Sequence, residues 1–213
     1  MNLSINRCPT CFSARIKKYS EDKYRNYFSC LDCELVFVPR NEVLSYEQEK
    51  NRYDQHQNKK DDAYFNYLNG IVSSILPYIS EGCRGLDFGC GTTTLFSDIL
   101  KEHGFPSDSY DLYYHPNQEV WNHNYDFIML SEVIEHLHDP HETMKRLVSL
   151  LNSNGKVFIK TKFLTDKIDF TNWYYKRDLT HIQFFNQKSI GILAHQFGFK
   201  VMAIGADLYL WNK

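Results

Sequence analysis

The chain has 213 residues, which is enough for one sizeable domain with a small satellite. Apolar residues make up 43% and charged residues 23%, close to globular averages, so a wholly disordered chain is excluded. The formal net charge of −2 argues against a protein that holds nucleic acid by charge alone. No apolar run reaches the length of a membrane span and the N-terminus lacks a signal-peptide core, so we expect a cytoplasmic chain.

Two cysteine pairs dominate the N-terminal segment. Cys8 and Cys11 form one CxxC, and Cys30 and Cys33 form the second. A disulfide interpretation needs an oxidising compartment, and a thioredoxin-like one needs a βαβ unit, and neither is indicated here. Two CxxC turns at this spacing are typical of a tetrahedral Zn(II) site, although four reduced thiols without metal stay an alternative.

The residues between and after the cysteine pairs complete a small module. Residues 14–19 and 24–29 alternate as the strands of a hairpin, and residues 35–38 read as a third strand. The sequence therefore predicts a zinc ribbon over residues 1–40. So small a segment buries little core, and structural zinc contributes roughly 10–16 kcal/mol to such folds. We expect a structural or substrate-docking role.

The next segment, residues 41–61, is polar and is predicted as a partly helical linker. An amphipathic helix then begins near Asp62, with apolar residues at helical spacing and a stop at Pro77 and Gly82. It is followed by a short strand over residues 85–88.

A glycine turn, Gly89-Cys90-Gly91, joins this strand to a helix over residues 93–100. Such a turn brings backbone close to a ligand because no Cβ stands in the way. The dinucleotide pattern GxGxxG and the Lys-Ser/Thr of a P-loop are both absent. Asp87 precedes the turn, where its carboxylate would repel a phosphate but attract an ammonium group.

The segment from Leu86 to Thr92 resembles the first motif of the small class I S-adenosylmethionine-dependent methyltransferases. Residues 110–113, 126–137 and 155–160 follow in the order of that family's later strands, so the resemblance covers residues 62–213. It implies an α/β fold with a Rossmann-like methyltransferase sheet behind the zinc ribbon, and S-adenosylmethionine as cofactor. The two cofactors predicted are thus S-adenosylmethionine and structural Zn(II).

The resemblance also implies cofactor-binding residues. Asp87 and the Gly89-Cys90-Gly91 backbone would hold the methionine end, and Asp111 would bind the ribose hydroxyls. Leu112, Ser131 and Glu132 are assigned to the same site at the strand ends. Tyr53 and His56, three residues apart in the linker, could close over the cofactor.

The chain departs from the family pattern in one place. Too few residues separate His115-Pro116 from the strand at Asp126 to hold the helix and third strand that the family has there. We therefore expect a sheet reduced around its third strand. Further on, Asp139 and Asn186 are predicted to cap two helices, and residues 199–204 and 208–211 to form a final antiparallel pair.

Three residues are candidates for a catalytic base: Glu135 and His136, just past the fourth strand, and His181, in the long connection after the fifth. Each could instead support its loop. We expect methyl transfer to a small molecule, such as a sugar or a biosynthetic intermediate. A ribbon ahead of this fold resembles both sugar C-methyltransferases and some ribosomal RNA methyltransferases, so an RNA substrate docked by the ribbon is an alternative. A non-catalytic cofactor-binding module is a third. The sequence leaves the oligomeric state open.

Overall fold

A computed structural model describes residues 7–55 and 62–213. The strands are β1 Ile16–Glu21, β2 Asn26–Cys30, β3 Val36–Phe37, β4 Gly85–Phe88, β5 Ser107–Tyr110, β6 Tyr125–Ser131, β7 Leu151–Lys160, β8 Gln183–Phe184, β9 Lys200–Gly205 and β10 Leu208–Asn212. The α-helices are α1 Tyr46–Gln55, α2 Asp62–Ile75, α3 Leu95–Glu102, α4 Pro140–Ser149 and α5 Gln187–Gln196. None of the helices in these two ranges has the length and apolar composition that a bilayer crossing requires.

The N-terminal sheet confirms the predicted hairpin and third strand. β1 pairs antiparallel with β2, and β2 with β3, so the order begins β1-β2-β3. A fourth strand, β8, comes from far along the chain and pairs antiparallel with β3, with Val36 opposite Phe184. The ribbon is therefore extended by a strand of the C-terminal part.

The larger sheet has six strands in the order β5-β4-β6-β7-β10-β9. β5, β4, β6 and β7 run parallel, whereas β10 is antiparallel to both β7 and β9. Glycine turns and polar loops follow the carboxyl ends of the parallel strands, which is where open α/β sheets bind ligands. The predicted Rossmann-like α/β fold is confirmed.

The sheet ends at β5, as the shortened connection before Asp126 predicted. Between β5 and β6 the described chain forms a single bridge and a 3₁₀ turn over Gln118–Asn122. Trp121 in this turn packs edge-on against Phe88 and Tyr110, at ring-centre distances of 6.1 and 5.1 Å. The Arg146 guanidinium lies 3.4 Å from the Trp121 ring centre. An indole between an aromatic pair and a cation covers this part of the sheet.

Local capping fixes the two helices that flank the site region. The Asp139 side chain accepts a hydrogen bond from the Glu142 N–H, and Pro140 opens α4. Asn186 and Ser189 form a reciprocal capping box at the start of α5. Both caps agree with the sequence prediction because they depend only on residues three apart.

The core joins the ribbon to the main sheet. Cys8, Cys30 and Cys33 belong to the same buried cluster as Ile134 and Phe185. The ribbon also holds the long connection before β8, because the buried Arg25 guanidinium donates to the carbonyl oxygens of Lys176, Asp178 and Leu179. The boundaries at residues 40 and 61 stay a prediction.

Candidate functional site

The four cysteines of the two CxxC turns converge. Their Sγ atoms all lie within 4.8 Å of one another, and Cys8, Cys30 and Cys33 are buried. The Cys8 carbonyl accepts a hydrogen bond from the Phe12 N–H at 3.0 Å, and the Cys30 carbonyl accepts one from the Glu34 N–H at 3.0 Å. Phe12 and Glu34 both take left-handed backbone, with φ of 60° and 64°. Two matched turns that present four thiols to one point fit a tetrahedral zinc ion.

The glycine turn forms one wall of a cavity of about 760 Å³. Gly89 has φ of +81°, and a Cβ there would collide with both methyl groups of Val133. The Gly91 N–H donates to Asp111 Oδ2 at 3.0 Å, which ties the turn to the end of β5. The bare backbone at Gly89 and Gly91 is therefore held against the cavity by packing and by a carboxylate.

Two acids face this turn. Asp87 is buried and its carboxylate accepts no hydrogen bond from the described residues, and burial, with the nearby Asp111, raises its pKa to about 8. Asp111 Oδ1 accepts from the Tyr113 and Tyr114 N–H groups at 2.8 and 3.0 Å. A buried carboxylate without a donor fits an ammonium group of a ligand, which would relieve the cost of its charge.

Helix α1, part of the predicted linker, forms the roof. Glu49 is buried and accepts a hydrogen bond from the Tyr113 hydroxyl beyond β5. The Tyr53 hydroxyl lies 3.1 Å from His136 Nδ1. The predicted closure by Tyr53 thus has a geometric basis, whereas His56 lies outside the described residues.

The remaining predicted cofactor residues are on the cavity wall. The wall contains Tyr53, Asp87, Gly89, Cys90, Gly91, Asp111, Leu112, Ser131 and Glu132. Glu132 takes left-handed backbone, with φ of 54°, at the end of β6. Such strain in a residue with a side chain is common at functional sites. The roles of these residues stay predictions.

The three predicted catalytic residues lie together at one end of the cavity. One ligand atom of each of Glu135, His136 and His181 lies within 4.8 Å of those of the other two. Of the three, His136 lines the cavity. Glu135 and His181 lie behind it, so neither is placed as a direct base by this geometry.

Glu135 is fully buried. Its Oε1 accepts a hydrogen bond from the Tyr175 hydroxyl, and its Oε2 has no partner in the described part of the chain. Burial, and then the neighbouring Glu132 carboxylate, raise the pKa of Glu135 to about 8. The carboxyl is therefore poised either to keep a proton or to meet a cation.

Backbone carbonyls orient both histidines. His136 Nδ1 lies 3.0 Å from the Thr180 oxygen, and His181 Nδ1 lies 2.7 Å from the Tyr175 oxygen. A carbonyl only accepts, so each Nδ1 carries the ring hydrogen and each Nε2 the lone pair. Burial lowers the pKa of His181, which favours its neutral form.

Sequence reasoning missed several cavity residues. Glu49 lines the site together with Tyr64, Tyr67, Tyr113, Trp121 and Arg146. A signal for Glu49 was present, because it precedes Tyr53 by four residues and so shares its helical face. Trp121 had no comparable signal, since its partners come from three separate segments.

The sheet order, the glycine turn and the acids at the ends of β4 and β5 define a class I S-adenosylmethionine-dependent methyltransferase. Structures with this fold include the magnesium protoporphyrin IX methyltransferase of Synechocystis PCC 6803 with bound S-adenosylhomocysteine, at 13% identity and a TM-score of 0.53, covering 81% of this chain and 96% of that one. Another is the 1,6-didemethyltoxoflavin-N1-methyltransferase of Burkholderia thailandensis, at 14% identity and a TM-score of 0.54, covering 92% of this chain and 99% of that one. These likenesses show the shared fold.

Sequence comparison gives the family. A family profile described as "Methyltransferase domain" matches residues 53–204, and the chain belongs to this family. A tRNA U34 carboxymethyltransferase of Aliarcobacter butzleri is 32% identical over 113 residues, which are 48% of this chain and 37% of that protein. This chain therefore matches little more than a third of the length of that curated relative.

Proposed function

We propose that this protein transfers the methyl group of S-adenosylmethionine to a small-molecule acceptor. The observation that carries the proposal is the roofed cavity that connects the Asp87 carboxylate and the bare glycine turn to His136. Family membership supports the methyl transfer, and the geometry of the cavity supports the choice of acceptor.

The cofactor would lie along the glycine turn. Asp87 supplies a carboxylate for its ammonium group, and Gly89 and Gly91 allow close approach of the backbone. Asp111 uses one lone pair of Oδ2 on Gly91 and keeps others for ribose hydroxyls. When bound, S-adenosylmethionine supplies a methyl group on a sulfonium centre, which a nucleophile displaces in line.

The residues of this chain would align the acceptor and keep water out. Orientation of two reactants in a closed site is worth roughly 7–11 kcal/mol of barrier. Glu49 holds the roof to Tyr113, and Tyr53 contacts the acceptor end through His136. A proton released by the acceptor would leave through the cluster of Glu135, His136 and His181.

The charges on the cavity wall favour a neutral or cationic acceptor. Five carboxylates line it against two guanidinium groups: Glu49, Asp87, Asp111, Glu132 and Asp139 against Arg40 and Arg146. A phosphate chain would meet more repulsion than attraction there. The net charge of −2 points the same way.

A tRNA substrate is the second candidate, favoured by the curated relative from Aliarcobacter butzleri. In this case the ribbon would dock the RNA, and its exposed strand β1 carries Lys17 and Lys18 for phosphate contacts. A cofactor-binding module without turnover is the remaining alternative.

We also propose that Cys8, Cys11, Cys30 and Cys33 hold a structural Zn(II) in a ribbon of residues 1–40, in the reducing cytoplasm. The linker of residues 41–61 then carries the roof helix, and residues 62–213 form the methyltransferase domain. The shared buried cluster implies that zinc stabilises more than the ribbon itself.

Methyl-labelled S-adenosylmethionine separates the candidates. The zinc-loaded protein is incubated with the label and either a low-molecular-weight metabolite extract or total tRNA. We expect label in the small-molecule fraction. Label in nuclease-sensitive RNA alone would overturn the small-molecule proposal. Cofactor binding without transfer to either pool would favour the non-catalytic module.

A further inference from the structure

We propose that Glu135, His136 and His181 bind one divalent transition-metal cation at the acceptor end of the cavity, distinct from the four-cysteine site. The three side chains offer one carboxylate oxygen and two imidazole nitrogens within 4.8 Å of one another. Ligands that share one cation, each about 2.0–2.2 Å from it, lie about 3–4 Å apart. Small side-chain adjustments would close the remaining gap.

An unpartnered buried oxygen points to a ligand. Glu135 is fully buried and its Oε2 has no hydrogen-bond partner in the described ranges. The Tyr175 hydroxyl contacts both Glu135 Oε1 and Glu132 Oε2, the latter at 3.1 Å. A phenol has one proton, so it satisfies only one of these carboxylates at a time. Two facing carboxylates with one donor between them are the environment that a cation stabilises.

The histidine tautomers fit the same site. Thr180 and Tyr175 carbonyls hold the Nδ1–H groups of His136 and His181, so the coordinating lone pair is on Nε2 in both rings. Metal-binding histidines commonly donate their second N–H to a backbone carbonyl, which fixes the ring and raises its basicity. A structural loop anchor would explain the two carbonyl contacts, but it leaves Glu135 Oε2 without a partner.

The ligand set selects the kind of metal. Two imidazoles and one carboxylate favour Mn²⁺, Fe²⁺, Co²⁺ or Zn²⁺ over Mg²⁺ and Ca²⁺, which prefer all-oxygen sites. Three protein ligands leave coordination positions for outside groups. His136 and Glu132 place the site at the cavity wall. If the proposed function is right, an acceptor oxygen would bind there, and the acceptor class would be a hydroxyl compound.

Manganese tests the site because Mn²⁺ binds thiolates weakly. The protein is first loaded with one equivalent of zinc, then titrated with Mn²⁺, whose free aqueous signal is followed by electron paramagnetic resonance. We expect one further equivalent to bind. Glu135→Gln and His181→Ala should weaken it at least about 10-fold, whereas His103→Ala, which changes an exposed histidine on α3, should not.

A second probe and a parallel measurement complete the test. Co²⁺ added to the zinc-loaded protein should give d–d bands without a thiolate-to-cobalt band. Binding of S-adenosylhomocysteine is measured on the same samples by calorimetry. Wild-type protein that binds S-adenosylhomocysteine but neither Mn²⁺ nor Co²⁺ below millimolar concentration would overturn the metal proposal. Equal Mn²⁺ affinity in all variants would also overturn it. Failure to bind S-adenosylhomocysteine would instead count against the proposed function, with the metal result still decisive for the site.

Discussion

Replacement of Gly89 by alanine tests whether the cofactor turn is built on the contact between its backbone and Val133. Gly89 has φ of +81°, and an added Cβ would lie 3.1 Å from Val133 Cγ1 and closer still to Cγ2. Gly82 provides the control, because it has φ of +78° and nothing within 4 Å of an added Cβ. The two substitutions therefore share the backbone strain and differ in the collision.

The expected magnitudes follow from these two contributions. Left-handed backbone in a residue with a Cβ costs about 1–2 kcal/mol, which both variants carry. Overpacking of a buried contact costs a further 1–3 kcal/mol or so, which only Gly89→Ala carries. We expect Gly89→Ala to lose about 2–5 kcal/mol of unfolding free energy, and Gly82→Ala about 1–2 kcal/mol.

Urea denaturation of the zinc-loaded protein measures both values. A double-mutant cycle then isolates the collision: Val133→Ala removes the two methyl groups, so Gly89→Ala should cost at least about 1 kcal/mol less in that background. Equal destabilisation by the two glycine variants, with no coupling to Val133, would refute the packing argument.

Three further outcomes are expected. Asp87→Asn should weaken binding of S-adenosylhomocysteine by about 1–3 kcal/mol in calorimetry, the scale of a lost charged hydrogen bond, and an unchanged affinity would remove Asp87 from the site. The raised pKa of Asp87, about 8 against a usual value near 3.8, means that the folded state binds this proton more tightly, so without ligand this carboxyl should lower the unfolding free energy as pH rises between those values, by at most about 1.4 kcal/mol per pH unit. The slope should be smaller in Asp87→Asn, as urea denaturation across pH 5–8 checks, and parallel curves would contradict the assignment of the shift. Zinc removal by a chelator should lower the melting temperature of the whole chain in calorimetry, since Cys8 and Cys30 share the main core, and melting of the ribbon alone would contradict that coupling.

The parts of the fold that the sequence predicted depend on near neighbours in the chain. The Gly89-Cys90-Gly91 turn, the Asp139 cap and the Asn186 capping box all rest on residues a few positions apart, so their patterns are visible without tertiary structure. The missing third-strand unit was predictable for a similar reason, because too short a segment cannot hold a helix and a strand.

The features that escaped prediction depend on contacts between distant segments. β8 is two residues long and forms only because β3 offers an open edge, so no periodicity indicates it. The burial of Glu49 follows from the Tyr113 hydroxyl on another element, and the partnerless Oε2 of Glu135 follows from the packing of Tyr175. The last of these is the observation that turned a predicted catalytic pair into a candidate metal site.

Calorimetric titration of the zinc-loaded protein with S-adenosylhomocysteine tests the central claim most directly, because the cavity at the glycine turn is assigned to that molecule and its methylated form. The account predicts one binding site with a dissociation constant in the range of about 1–100 μM, weakened at least about 10-fold in Asp87→Asn and unchanged in His103→Ala. No binding by folded wild-type protein up to about 1 mM would contradict the account.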